Sequence, residues 1–281
     1  MHITEQLASL WPGSSQDPSL HSQLQWLNQH HKFFRFSIAS DHTQDESFDT
    51  WFASSFDPTL EQFGSMMEAR PALAASLWQK SLNAHLFTGL TALRLKFNRV
   101  PQLSVSNTHI AIDKSYKVKQ ISTEETTPFY CLSNDPLASN PISIVVSDQQ
   151  ELDKKFADVI RYFGIRFEPL FRGHKVNSKL FWGNLSFAIT LTFMRLTEKG
   201  ITISDANKIK SLAQEWYQQL LPETADLNII EQVDNQTLSI LYVRRDTCCL
   251  KYKLEGKGNC GTCGLVDKQQ QDKIYTDKIP Q

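Results

Sequence analysis

Four of the chain's five cysteines fall within sixteen residues, as Cys248-Cys249-x10-Cys260-x2-Cys263. Four thiolates gathered so locally suffice to hold one metal centre, and soft thiolate ligands select zinc, Cu(I) or iron–sulfur clusters. The spacing discriminates among these. Zinc ribbons use two C-x2-C knuckles, and plant-type ferredoxins use C-x4-C-x2-C with a distant fourth cysteine. Here no residue separates the first pair. Neighbouring side chains on a strand point to opposite faces. Both thiolates therefore reach one centre only if the backbone bends sharply, or if the centre has more than one metal to share between them. A two-iron cluster meets the second condition better than a single zinc ion does.

The residues around the block suit a cluster electrically. Arg244-Arg245-Asp246-Thr247 precedes the cysteine pair and Leu250-Lys251-Tyr252-Lys253-Leu254 follows it. A four-thiolate two-iron cluster is anionic and becomes more so on reduction, so cations and N–H groups near its sulfurs stabilise the reduced form. Lys251 and Lys253 read equally well as the solvent face of a strand. Gly256, Gly258 and Gly261 let backbone approach the sulfurs closely. Cys131, alone beside Phe129, Tyr130 and Leu132, reads as a buried structural thiol.

In spacing and flanking residues the block resembles the FhuF-like family of siderophore ferric-iron reductases. The resemblance extends to Arg245-Asp246-Thr247, Leu250-Lys251-Tyr252 and Gly261. Outside this stretch it is weak; the best echo is Ser178-Lys179-Leu180-Phe181-Trp182-Gly183-Asn184. It implies a [2Fe-2S] cluster on Cys248, Cys249, Cys260 and Cys263. It also implies one-electron reduction of a ferric siderophore, of hydroxamate type, with release of Fe(II). Arg245, Lys251 and Lys253 are then expected to tune the cluster or dock the electron donor. Arg172 and Lys175, in a basic and aromatic segment, and Trp182 are expected to face the substrate. The alternatives are an iron–sulfur carrier or sensor without siderophore turnover, and a zinc-stapled interaction protein.

Composition narrows the setting. The 281 residues are 41% hydrophobic and 21% charged, with a net charge of −1, the balance of an ordinary globular protein. That charge offers no bulk attraction to nucleic acid or a membrane surface. Residues 1–11 lack the pattern of a secretory signal. The apolar run 180–194 is too short to span a bilayer and contains Asn184. A cytoplasmic protein is expected, with peripheral attachment at the inner membrane left open. No P-loop or Gly-x-Gly-x-x-Gly occurs, so a standard nucleotide fold is not expected. Electrons would come from a separate donor, a ferredoxin or an NAD(P)H-dependent reductase. His30 and His31, with His21, lack further ligands at metal spacing and read as ordinary helix histidines.

The elements that must position the cysteines are legible from periodicity. Pro18 opens a helix with Leu20, Leu24 and Leu27 inward, and Asp57-Pro58 another with Leu60 and Phe63. Pro71 starts a long helix running through Phe97, which Pro101 stops. Leu103 and Val105, Ile110 and Ile112, then Tyr116, Val118 and Ile121 alternate as a meander, with a further strand at 142–146 and a loop at 122–140. Helices return with Leu152 to Phe163, with an apolar helix capped by Asn177 or Ser178, and with one capped by Ser204 or Asp205. A strand at 238–243 enters the cysteine block, and Leu250, Tyr252 and Leu254 alternate as if extended beyond it. The predicted class is α+β: a helical N-terminal layer, a small antiparallel sheet, further helices and a C-terminal iron–sulfur-binding segment. Expected boundaries are 1–235 for the reductase-like domain, 236–267 for the cluster segment and 268–281 for a loose polar tail.

Overall fold

The computed structural model describes residues 3–7, 10, 17–31, 34–39 and 45–280, the His30 side chain excepted. The helices are α1 (Ile3–Leu7), α2 (Leu20–His30), α3 (Phe48–Ser54), α4 (Phe56–Met66), α5 (Pro71–Asn83), α6 (Gly89–Phe97), α7 (Gln149–Gly173), α8 (Ser178–Leu196), α9 (Ile203–Leu220) and α10 (Lys268–Thr276). The strands are β1 (Phe36–Ile38), β2 (Glu46–Ser47), β3 (Arg99–Pro101), β4 (Thr108–Ile112), β5 (Val118–Thr123), β6 (Phe129–Leu132), β7 (Ser143–Val146), β8 (Ile201–Thr202), β9 (Asn228–Asp234) and β10 (Leu238–Arg245). The α+β class holds. The single antiparallel sheet becomes three small sheets, ordered β1-β5-β4-β2, β3-β6-β7 and β8-β10-β9. The first two are mixed, because β1 joins β5, and β7 joins β6, in parallel. Short strands carried on helix ends reach these edges from elsewhere in the chain, and single-sequence periodicity does not reveal that.

Local chemistry explains most boundaries. Ser19, Asn177 and Thr202 cap α2, α8 and α9 through their side-chain oxygens, satisfying amides that would otherwise lack partners. Thr202, not Ser204 or Asp205, is the cap of α9. The predicted 71–97 helix is interrupted by a π-helical turn, Ala84–Thr88. It inserts an extra residue per turn and leaves Leu86, Phe87 and Thr88 all buried. Asn98, in the left-handed region at φ 53°, ends α6, and Pro101 lies in β3 instead.

The apolar helix α8 sits at the centre, packed on α5, α7 and β10. Asn184, Ser186, Thr190 and Thr192 are buried along it with no exposed area. An aromatic cluster fills the space beside it: Trp51 stacks on Trp78 at 5.0 Å, and Phe171 sits 6.0 Å from Phe181. Residues 268–280, expected as part of a loose tail, are ordered against the sheet. Asp267 caps α10, Tyr275 stacks on Tyr242 of β10 at 4.5 Å, and Ile279 is buried. Two apolar side chains docked on a sheet face are enough to hold an otherwise polar segment.

Candidate metal centre

β10 delivers the chain to the cysteines. Its last residue, Arg245, is paired with Asn228 of β9, and Asn228 Nδ2 donates to Ser186 Oγ of α8 at 2.7 Å. Asp246 N–H then donates to Leu227 O at 2.9 Å, and Thr247 turns inward. Gly183 of α8 makes room for it: a Cβ there would lie 2.4 Å from Thr247 Oγ1. After Cys248-Cys249 the backbone does not continue as a strand. Leu250 takes φ 64°, and Lys251–Lys253 form a 3-10 turn. That bend is the sharp reversal that adjacent ligands require. The chain returns through Glu255–Asn259, where Arg245 N–H meets Thr262 O at 3.3 Å and Cys263 N–H closes a turn on Cys260 O at 2.9 Å. Gly264 passes so close under β10 that a Cβ would fall 2.3 Å from Arg245 O. Gln271 of α10 fixes Cys263 O at 2.7 Å.

The four thiols converge in two pairs. Cys248 Sγ lies 3.4 Å from Cys263 Sγ, and Cys249 and Cys260 are near enough to shift each other's titration. Cys249 and Cys263 are buried, while Cys248 and Cys260 remain partly accessible. Among the described residues no group of three or more His, Cys, Asp or Glu side chains is already arranged to hold a metal ion. Two thiol pairs, not one tetrahedron, suit a centre with two metals. Cys131 is buried opposite Arg99 in the β3–β6 ladder and takes no part.

A platform from α5 and α8 backs the thiols. Ser76 Oγ donates to Cys249 O at 3.3 Å, and Lys80 Nζ approaches Cys249 Sγ at 3.8 Å. Asn184 donates to Gln79 Oε1 at 2.7 Å and accepts from Arg245 Nη2 at 2.5 Å. Arg245 also donates to Thr247 Oγ1 at 3.0 Å and lies over the Phe187 ring at 4.7 Å. Its Nε and Nη1 have no hydrogen-bond partner although they are buried. Two orphaned cationic N–H groups beside four thiols are what an anionic sulfur cluster would satisfy.

The thiols are shifted in opposite directions. A hydrogen bond from Cys260, then the charges of Lys80 and Arg245, hold the Cys249 thiol far below its usual range despite burial. The same hydrogen bond, with burial, pushes Cys260 up. Burial raises Cys248 to about 11. Arg245 is pulled down by burial, and all four cysteines oppose that.

Residues 245–264 match the FhuF 2Fe-2S C-terminal domain. The match is consistent with the FhuF-like siderophore-reductase family and indicates a [2Fe-2S] cluster. No curated protein matches the chain. The FhuF segment thus coincides with the thiol pairs, the reversal at Leu250 and the Gly264 crossing.

The other expected site residues are distributed differently. Arg245, expected to tune the cluster or dock the donor, is 1% exposed and lies beside the thiols, a place for tuning and not for docking. Lys251 and Lys253 are exposed on the 3-10 turn beside them. Trp182 is turned away toward α7: its Nε1 donates to Glu168 at 3.0 Å, and its ring covers Gly164, where a Cβ would be 2.2 Å away. It locks α7 to α8, an apolar seam that a sequence echo cannot tell from a binding surface. Arg172 and Lys175 are exposed at the end of α7, in no hydrogen bond or ion pair with the cysteines. Beside them His174 bonds Asp57 at 2.9 Å. Lys80 and Ser76 were not anticipated. The available signal was the polar stripe Ser76, Gln79, Asn83 on the buried side of an apolar helix.

Proposed function

We propose that the chain is a ferric-siderophore reductase in which Cys248, Cys249, Cys260 and Cys263 hold the [2Fe-2S] cluster. The observation that carries this reading is the two thiol pairs within the matched FhuF segment, backed by a buried cation with unused donors. When bound, such a cluster supplies one electron at a time. Hard oxygen ligands hold Fe(III) far more tightly than Fe(II), so one electron delivered to the chelated iron frees it with the chelator intact. The chain's own residues set the conditions for that transfer. Arg245 and Lys80 hold positive charge against the sulfurs, and Ser76 and Asn184 fix the backbone and the guanidinium. α5, α8 and α10 cover Cys249 and Cys263, while Cys248 and Cys260 stay near the surface, where an electron enters or leaves.

Protein reduced with dithionite should be re-oxidised on mixing with a ferric trihydroxamate, with Fe(II) appearing in a ferrous trap. A reduced protein that stays reduced with ferric hydroxamates and catecholates would transfer the reading to an electron carrier or sensor. No helix among the described residues is long and apolar enough to cross a membrane. The domain limits proposed are the helical and sheet body up to residue 235 and the cluster segment 236–267, with α10 as its clamp.

Lys251 and Lys253 suit an acidic protein donor better than the substrate, since ferric trihydroxamates are neutral or cationic. Charge complementarity at an exposed rim acts mainly on association rate and is screened by salt. Lys251→Glu with Lys253→Glu should slow reduction by an acidic ferredoxin by about tenfold or more at low salt. Siderophore binding should be unchanged. An unchanged donor rate with weaker siderophore binding in stopped-flow traces would assign this surface to the substrate.

A further inference from the structure

We propose that the cluster is built on unlike pairs, Cys248 with Cys263 on one iron and Cys249 with Cys260 on the other, and that Lys80 and Arg245 make the Cys249–Cys260 iron the one that takes the electron. This rests on the proposed cluster assignment and deepens it.

The pairing follows from the sulfurs. Each iron of a four-thiolate [2Fe-2S] centre takes two cysteine sulfurs. Cys248 Sγ and Cys263 Sγ already stand 3.4 Å apart, which leaves Cys249 and Cys260 as the second pair. Adjacent residues 248 and 249 thus go to different irons, and so do the two cysteines of the 260–263 knuckle. The reversal at Leu250 is what separates the first two. Leu250 N–H stays with Cys248 Sγ at 3.4 Å, and Cys249 is left to Lys80 on the other side.

The polarity follows from the cations. Lys80 Nζ is 3.8 Å from Cys249 Sγ. Arg245 is buried at the same site and donates to Thr247 Oγ1, next to the cysteine pair, at 3.0 Å. Both cations rest on one ring, Phe187, at 5.2 and 4.7 Å, so they are neighbours. On reduction, one electron from the donor turns one ferric iron ferrous. No bond breaks and no proton moves, and the cluster gains one negative charge. That charge is most stable nearest the two cations, where burial keeps water from screening it. Lys80 and Arg245 are therefore positioning residues for the electron.

The test uses the whole chain, reduced with dithionite in the absence of siderophore and of protein donor, so its outcome is independent of turnover. Iron and acid-labile sulfide analysis first establishes the cluster; zinc without sulfide overturns both readings. Paramagnetic NMR of the cysteine β-protons, assigned residue by residue, then reads the valence of each iron. Ferrous-type signals are expected for Cys249 and Cys260, and ferric-type for Cys248 and Cys263. One signal of each type within either pair overturns the pairing, and the reversed pattern overturns the polarity. Lys80→Gln should shift the reduction equilibrium against the reduced form by about tenfold, 59 mV for one electron, and Lys80→Arg should restore it. A potential unmoved by Lys80→Gln, with cluster content intact, overturns the role of Lys80.

Discussion

Replacing any one of Cys248, Cys249, Cys260 or Cys263 by Ala is expected to leave the purified protein without a stable cluster. Iron and acid-labile sulfide should fall from about two each per chain toward zero. Each thiol has one partner at the site, Cys248 with Cys263 and Cys249 with Cys260, so no remaining sulfur can take over a vacated position. The loss should also reach the fold. Metal-centre binding energy is folding energy for the segment that provides the ligands, and the buried Arg245 loses the anion that its unpartnered Nε and Nη1 face. Proteolysis near residues 250–260 should therefore become faster. Cys131→Ala is the control. It removes a buried thiol from the β3–β6 ladder and should keep full iron content. A Cys260→Ala protein that kept its visible spectrum would remove Cys260 from the ligand set.

Arg99→Leu should be the most destabilising single change away from the cysteines. The guanidinium is almost wholly buried with Asp135, at 2.5 Å. It binds both carboxylate oxygens, and it also reaches Gln23 Oε1 at 3.0 Å and Pro18 O. It thus joins α2, β3 and the turn after β6, while lying 5.1 Å from the Phe129 ring. Removing one partner of a buried pair strands the other charge, at a cost of about 3–5 kcal/mol. At roughly 2–4 °C per kcal/mol, the melting temperature should drop by about 10 °C. Replacing both, Arg99→Leu with Asp135→Leu, should recover much of the loss, because a buried pair is often matched by apolar residues of similar volume. Thermal unfolding of the single and double variants decides this. A double variant less stable than the single one would show that Arg99 acts through Gln23 and Pro18 instead.

What could be read in the sequence divides along physical lines. Long amphipathic helices were legible because their stripes repeat over several turns: Leu152 to Phe163 in α7 and Ile209 to Leu220 in α9. The thiol set was legible because all four members lie close in sequence. Short elements were not. α3 has seven residues, and β1 and β2 are shorter still, so no period develops. β6 hid inside the polar 122–140 stretch, since its four residues are set by pairing with Arg99–Pro101 and Ser143–Val146. The alternation of Leu250, Tyr252 and Leu254 suggested a strand, but a residue in the left-handed region at 250 converted it to a tight turn. Charge was legible at Arg245, but burial was not. Lys80 could not be linked to the thiols, because that contact spans 169 positions. Asn184, noticed in an echo and as the polar residue of an apolar run, joins α5 to Arg245.

The same 169-position separation has a consequence in time. At about 5–20 residues per second, Lys80 leaves the ribosome roughly ten to thirty seconds before Cys249. Helices α5 and α8 are synthesised, and can associate, while the cysteines are still being made. Their polar stripe of Ser76, Gln79 and Asn184 stays open to water until β10 brings Arg245 across it. The four thiols are therefore the last of these groups to be synthesised, after both helices against which they pack.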